Sequence, residues 1–299
     1  MLHRLRLPFS ISSVVVLSVV IVVVLGGCGS AANANDLHSA SGAAPGNPTV
    51  SGLAPMRAQP NGPATLTWDP ANHGTLTVDL APTGLAPLSP SSYTSAPYPA
   101  EIGAGDCQAP GKAVYPLTAV KADQYGVGSS TTTVKDVAGG IPAKDWHLAL
   151  YFPAAANEKT LLACTLIINP TPSTTEKQTV KAWLHGLPHE HGGDDGAYGM
   201  TRLSLSGTTL TVDLYIGGMA PGSKHAAHIH SGSCEKQGPV VHNLKDVVAD
   251  ADGNAHIQTT IQNVQSIPGN WFVNVHHGTD LTTQAGFQPI SCGNVFTRQ

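Results

Sequence analysis

The chain of 299 residues carries 32 glycines and 23 prolines, with 5% aromatic and 11% charged residues and a net charge of −4. No segment places Glu, Lys, Leu and Ala at helical spacing, which excludes long amphipathic helices and favours short strands with many turns. The acidic balance excludes nucleic acid as a partner, since that would demand a basic face.

Arg4 and Arg6 precede an almost unbroken apolar run from Ile11 to Leu25, and "VLGGCGS" follows at once. A basic start, an apolar centre and small residues before a cysteine read as a secretory signal over residues 1–27. The "LGGC" ending resembles a bacterial lipobox. That resemblance implies lipidation of Cys28 and a protein held at the extracytoplasmic face of the cell membrane. An uncleaved transmembrane anchor is the alternative, because the run is near the lower length limit for a span. Taking away Arg4 and Arg6 makes the charge −6. Residues 28–61 are mostly Ala, Ser, Gly, Asn and Pro, too poor in large apolar side chains to offset their ordering entropy. They are expected to form a disordered tether.

The rest of the chain is written twice. "TLTVDLAPTGLAP" (75–87) matches "TLTVDLYIGGMAP" (209–221), and "PAEIGAGDC" (99–107) matches "AAHIHSGSC" (226–234). "DWHLALYF" then answers "NWFVNVHH", and "LLACTLI" answers "PISCGNV". The offset stays near 127 (234 minus 107). Two domains of one fold follow, over residues 62–172 and 200–299. In "TLTVDLYI" Leu210, Val212, Leu214 and Ile216 alternate with polar neighbours, a strand period. "ADADGN" carries a hairpin turn signal rather than a calcium loop, since the ligand pattern stops after Asp252. The expected architecture is all-β: two tandem Greek-key β-sandwich or barrel domains. With Cys28 assigned to lipid, the other four cysteines allow three pairings. The repeat selects Cys107 with Cys164 and Cys234 with Cys292.

Between the copies, residues 173–199 form a linker that holds His185, His189 and His191. It reads either as a solvated loop or as a metal-capturing segment.

The second copy has imidazoles where the first has none. Alternation puts His228 and His230 on one strand face, and Phe272, Asn274 and His276 on one face of another. His242 follows a "GPVV" turn. A lone histidine in a sheet is usually a satisfied polar residue. Here, however, the first copy replaces His228, His230, His242 and His276 by Glu101, Gly103, Tyr115 and Tyr151. The fold does without the whole set, as a site would require and packing would not. Imidazole clusters suit copper, zinc or nickel, and copper(II) binds tightest of these.

"KHAAHIHSGSC", "VVADADGNAHI", "FVNVHHGTD" and "AGFQPISCGNV" resemble, in order, the signature segments of Cu/Zn superoxide dismutases. "AAHIHSG", "GPVV" and "WFVNVHHG" also resemble CHRD domains. The first resemblance implies that His228, His230 and His276 are copper ligands. It implies that His242 is the bridging histidine that releases copper and carries a proton. His225 would be a buried structural histidine, Asp280 a carboxylate behind the ligands, and Cys234–Cys292 the family's disulfide. Two features depart from that family. "NLKDVVADADG" lacks the further histidines of a zinc loop, so copper without zinc is expected. Gln288 and Pro289 stand where the family has the arginine that attracts superoxide. The expected function is a copper-only dismutase turning superoxide into O2 and H2O2. The alternative is a non-enzymatic CHRD-like module that binds copper or a partner. The first domain would be a ligandless copy serving as spacer or docking surface, its partner unidentified.

Overall fold

A computed structural model describes residues 49–88, 93–153, 160–187 and 196–298. The expected signal, Cys28, most of the tether, His189 and His191 lie outside the described residues. The chain enters the fold with β1 (Val50–Ala58). Eight strands follow: β2 (Gly62–Asp69), β3 (Thr75–Leu80), β4 (Tyr98–Gly105), β5 (Pro110–Ala122), β6 (Gly128–Val134), β7 (Trp146–Tyr151), β8 (Leu161–Ile167) and β9 (Gln178–Gly186). The second repeat holds β10 (Tyr198–Ser206), β11 (Thr209–Gly217), β12 (Lys224–His225), β13 (Ala227–Ser233), β14 (Lys236–Asn243), β15 (Val247–Val248), β16 (Ala255–Ile261) and β17 (Trp271–His276). A single helical turn, α1 (Gln284–Phe287), leads to β18 (Pro289–Asn294) and β19 (Phe296–Arg298).

The fold is all-β. Strands β2-β3-β6-β5-β4-β7-β8-β9 close into a barrel, and β14-β13-β17-β18-β1-β10-β11-β16 form a second sheet in the same order, repeat for repeat. In the run β3-β6-β5-β4 the strand with the long connection lies beside the far end of a three-strand meander, a Greek key. The second sheet is a second, incomplete barrel that stays open between β14 and β16. There the Lys245 backbone N–H donates to Thr259 Oγ1 at 3.0 Å, as Thr118 N–H donates to Thr132 Oγ1 at 2.7 Å in the first repeat. The inward residues of β3 (Leu76, Val78, Leu80) and β11 (Leu210, Val212, Leu214, Ile216) are buried as their alternation predicts. Each repeat has its own core, and no residue belongs to both.

The closing strands are exchanged. β9 follows the first repeat and closes the first barrel between β2 and β8. The same place in the second barrel, between β10 and β18, is taken by β1 from the far end of the chain. The registers agree: Gln178 faces Trp68 and His185 faces Cys164, while Val50 faces Leu205 and Arg57 faces Cys292. The tether expectation is therefore corrected over residues 50–58, which are a core strand. Their inward residues are Gly52, Ala54 and Met56, all buried. A Cβ on Gly52 would lie 3.1 Å from Val295 Cγ1, so the strand approaches the core closely because its residues are small. The expected linker is likewise strand over 178–186. His185 is an exposed residue of β9 rather than part of a loop over the site.

Both disulfides form within a repeat, Cys107–Cys164 and Cys234–Cys292, with Cα atoms 5.8 Å apart in each.

Candidate metal centre

Strands β13 and β17 are antiparallel neighbours, with His228 opposite Asn274 and His230 opposite Phe272. Ala227, Ile229, Val273 and Val275 turn into the core, so His228, His230 and His276 turn together to the outer face. A register shift between Ile229 and His230 breaks the β13–β14 ladder, and the first repeat has the same shift between Ile102 and Gly103. The bulge belongs to the fold, and the histidine is what the second repeat adds to it.

The three rings meet at centroid separations of 5.1, 5.7 and 5.8 Å. One ring nitrogen from each lies within 4.8 Å of the others. An ion held about 2.0–2.1 Å from each nitrogen needs them about 3–4 Å apart, so the three nitrogens already stand close to ligating positions. His230 Nδ1 lies 3.0 Å from the carbonyl oxygen of Gly238, and His276 Nδ1 lies 2.6 Å from that of Phe287. A carbonyl accepts only, so each Nδ1 carries the proton and each Nε2 keeps its lone pair. Those two Nε2 atoms and Nδ1 of His228 are buried without a hydrogen-bond partner. As whole residues, His228 is 8% exposed, His230 2% and His276 0%.

Burial also sets the protonation. It pushes His276 down to about 3 and His230 down to about 4, and lowers His228 despite the Asp246 charge nearby. The imidazoles are therefore neutral and ready to act as ligands. The same shifts predict acid sensitivity. The unfolded chain takes up these protons near the ordinary imidazole value of about 6.5 and the folded chain does not. Stability is full above that pH and falls as pH drops towards 4, by about 1.4 kcal/mol per pH unit for each histidine. Urea unfolding of the metal-free protein at several pH values should show this slope. His230→Leu should reduce it by one histidine's share.

The other expected residues lie elsewhere, and two need correction. His242 does not join the triad. It pairs with Ile229, on the far side of the bulge, and meets the Trp271 ring edge-on at 5.2 Å. Tyr115 meets Trp146 in the same way at 5.5 Å in the first repeat, so this position packs on the strand tryptophan in both copies. Asp280 is exposed and caps its own turn, accepting from Thr282 N–H and Oγ1–H at 3.0 and 2.6 Å. It is not behind the ligands. His225 is buried, with Nδ1 on the carbonyls of His276 and His277 and Nε2 2.7 Å from Ser223 Oγ, and so ties β12 to the end of β17. His256 stacks on Tyr215 at 4.0 Å, away from the triad.

The sequence assigns no role to three groups beside the triad. Asn274 shares the face of His276, is fully buried, and has no partner for either amide atom. Gly238 and Phe287 contribute through backbone oxygens, which no side-chain pattern reveals. In the first repeat the corresponding face is filled otherwise. Tyr151 donates to Glu101 at 2.7 Å, and the His147 ring covers Gly103, where a Cβ would come within 2.4 Å of it. Among the described residues, no second group of three histidine, cysteine or carboxylate ligands converges.

Residues 174–280 match the family model of the CHRD domain. No curated protein matches the chain. The match begins just before β9 and runs through β17. In sequence order β9 thus heads the second repeat, although in space it closes the first barrel.

Proposed function

We propose that the second barrel, the main part of the CHRD-matching stretch, is a copper-holding module whose ligands are His228, His230 and His276. The observation that carries this reading is the convergence of three buried, neutral imidazoles whose inward nitrogens have no other partner. A buried polar atom left unpaired costs about 1–3 kcal/mol, and a bound ion removes that cost three times over. An all-imidazole donor set suits copper or zinc, and at a given nitrogen site copper(II) binds more tightly than zinc(II). Bound copper would supply a Cu(II)/Cu(I) couple. The chain's own residues hold the site neutral, dry and fixed. Two disulfides agree with an oxidising, extracytoplasmic setting, where the N-terminal segment with Cys28 would hold the protein at the membrane.

Superoxide disproportionation is the second reading, favoured by the ordered dismutase-like segments of the second repeat. Two features weigh against turnover. His242 is occupied against Trp271, and Gln288, in the place of the anion-attracting arginine, is fully buried. The test is metal analysis of the purified full chain after loading with copper(II) or zinc(II), followed by a superoxide-consumption assay. One copper per chain is expected, with little zinc, and no superoxide consumption above a copper-free control. Equal uptake of zinc would refute the copper preference, and copper-dependent consumption would favour the second reading.

A further inference from the structure

Among the described residues the first barrel carries no triad, yet one of its loops holds two glutamine side chains that lie next to the triad's hydrogen-bond acceptors in sequence. The Gln288 side chain donates through Nε2 to Gly84 O at 2.8 Å and accepts at Oε1 from Ala86 N–H at 2.9 Å and Tyr98 O–H at 2.8 Å. The Gln237 side chain donates to Leu85 O at 3.0 Å, and its own N–H donates to Tyr125 O at 3.0 Å. Three consecutive residues, Gly84, Leu85 and Ala86, thus grip two buried glutamines of the second barrel. Gln288 follows Phe287, whose carbonyl orients His276, and Gln237 precedes Gly238, whose carbonyl orients His230. Both acceptors that fix the imidazoles sit next to residues held by the first barrel.

We infer that the first barrel is the positioning element of the metal centre: its Gly84–Ala86 loop fixes Gln237 and Gln288, and through them the rings of His230 and His276. This rests on the copper-holding reading for its consequence, though not for its geometry. Gln237, Gln288 and Tyr98 are positioning residues, since they act through a neighbouring carbonyl. Groups that orient a metal-bound histidine typically change affinity by about 10- to 100-fold when removed.

The test uses the full chain and four variants: Gln288→Met, Gln237→Met, the milder Tyr98→Phe, and Lys236→Ala as control. Lys236 lies 4.5 Å above the Tyr125 ring, so the control loses a contact between the barrels that the clamp does not use. Copper(II) affinity by chelator competition and the copper(II) EPR spectrum are read on loaded protein. The Nδ1–H signals of His230 and His276 are read by nitrogen-15 NMR on metal-free protein. Each glutamine variant should weaken copper about tenfold or more, alter the spectrum, and speed the exchange of the Nδ1–H of its own histidine. Tyr98→Phe should move the same signals less, and Lys236→Ala should move none. Should a glutamine variant fail to fold, Tyr98→Phe decides. Unchanged affinity, spectrum and Nδ1–H exchange in the folded variants would overturn the inference. If wild-type protein takes up no copper, the metal reading fails alone, and the Nδ1–H response still supports or overturns the clamp.

Discussion

A chain that begins at Pro60, and so lacks β1, is expected to keep a folded first barrel and to lose the second. All eight strands of the first barrel, its core and the Cys107–Cys164 disulfide lie between residues 62 and 186. The second barrel would be left with β10 and β18 as bare edges facing each other. Seven register pairs between β1 and β10 would disappear, from Val50↔Leu205 to Met56↔Gly199. At about 1 kcal/mol net per ladder hydrogen bond, plus about 1.5–3 kcal/mol for the buried Met56 side chain, the loss is comparable to the whole stability of a typical domain. Hydrogen exchange read strand by strand checks this. Amides of β10 and β18 should exchange as in an unfolded chain, while β2 and β8 stay protected. A peptide of residues 49–59 added in trans should restore the protection. The competing outcome is specific. β9 matches β1 in register and lies next to β10 in sequence, so it has the means to cross over. Protection kept in β10 and lost in β2 would show that it does, and would sink the prediction. Val180 and Leu184 argue that it stays, because both are buried in the first core.

The second large effect is on stability in the presence of copper. At a free copper concentration 100 times its dissociation constant, the ion should stabilise the folded state by about 2.7 kcal/mol. For a barrel of this size that is a rise in Tm of roughly 10 °C or more, by the scaling of about 4–8 °C per kcal/mol. His228→Leu should abolish the rise. It should also leave the metal-free Tm equal or higher, since His228 Nδ1 is buried without a partner and an apolar side chain removes that cost. A packing histidine would behave the opposite way, with a lower metal-free Tm and no change in the response to copper. Calorimetry of wild type and variant, with and without copper(II), separates the two. A copper-induced rise that survives His228→Leu would refute the ligand assignment.

The sequence by itself determined the repeat, the all-β class, both disulfide pairings and the shared face of His228 and His230. These follow from local rules, because a period of two assigns faces and an internal copy shows which residues the fold does not need. The tertiary structure alone decided the rest. His276 joins His228 and His230 only through the pairing of β13 with β17. β1 looked like tether because its inward residues are Gly52, Ala54 and Met56. Small side chains give no hydrophobic signal, and only the gap between β10 and β18 gives the segment its value. His242 looked like a ligand by resemblance and by its absence from the first copy, but the bulge at His230 shifts the register and the strand beyond it presents the other face. Gln288 looked like a missing arginine. Its actual partners, Gly84, Ala86 and Tyr98, lie 190 and more residues away in the chain, and no local pattern links them. Faces and cysteines are set by neighbours in sequence, whereas closing strands and the groups that hold a ring in place are set by what the folded chain brings alongside.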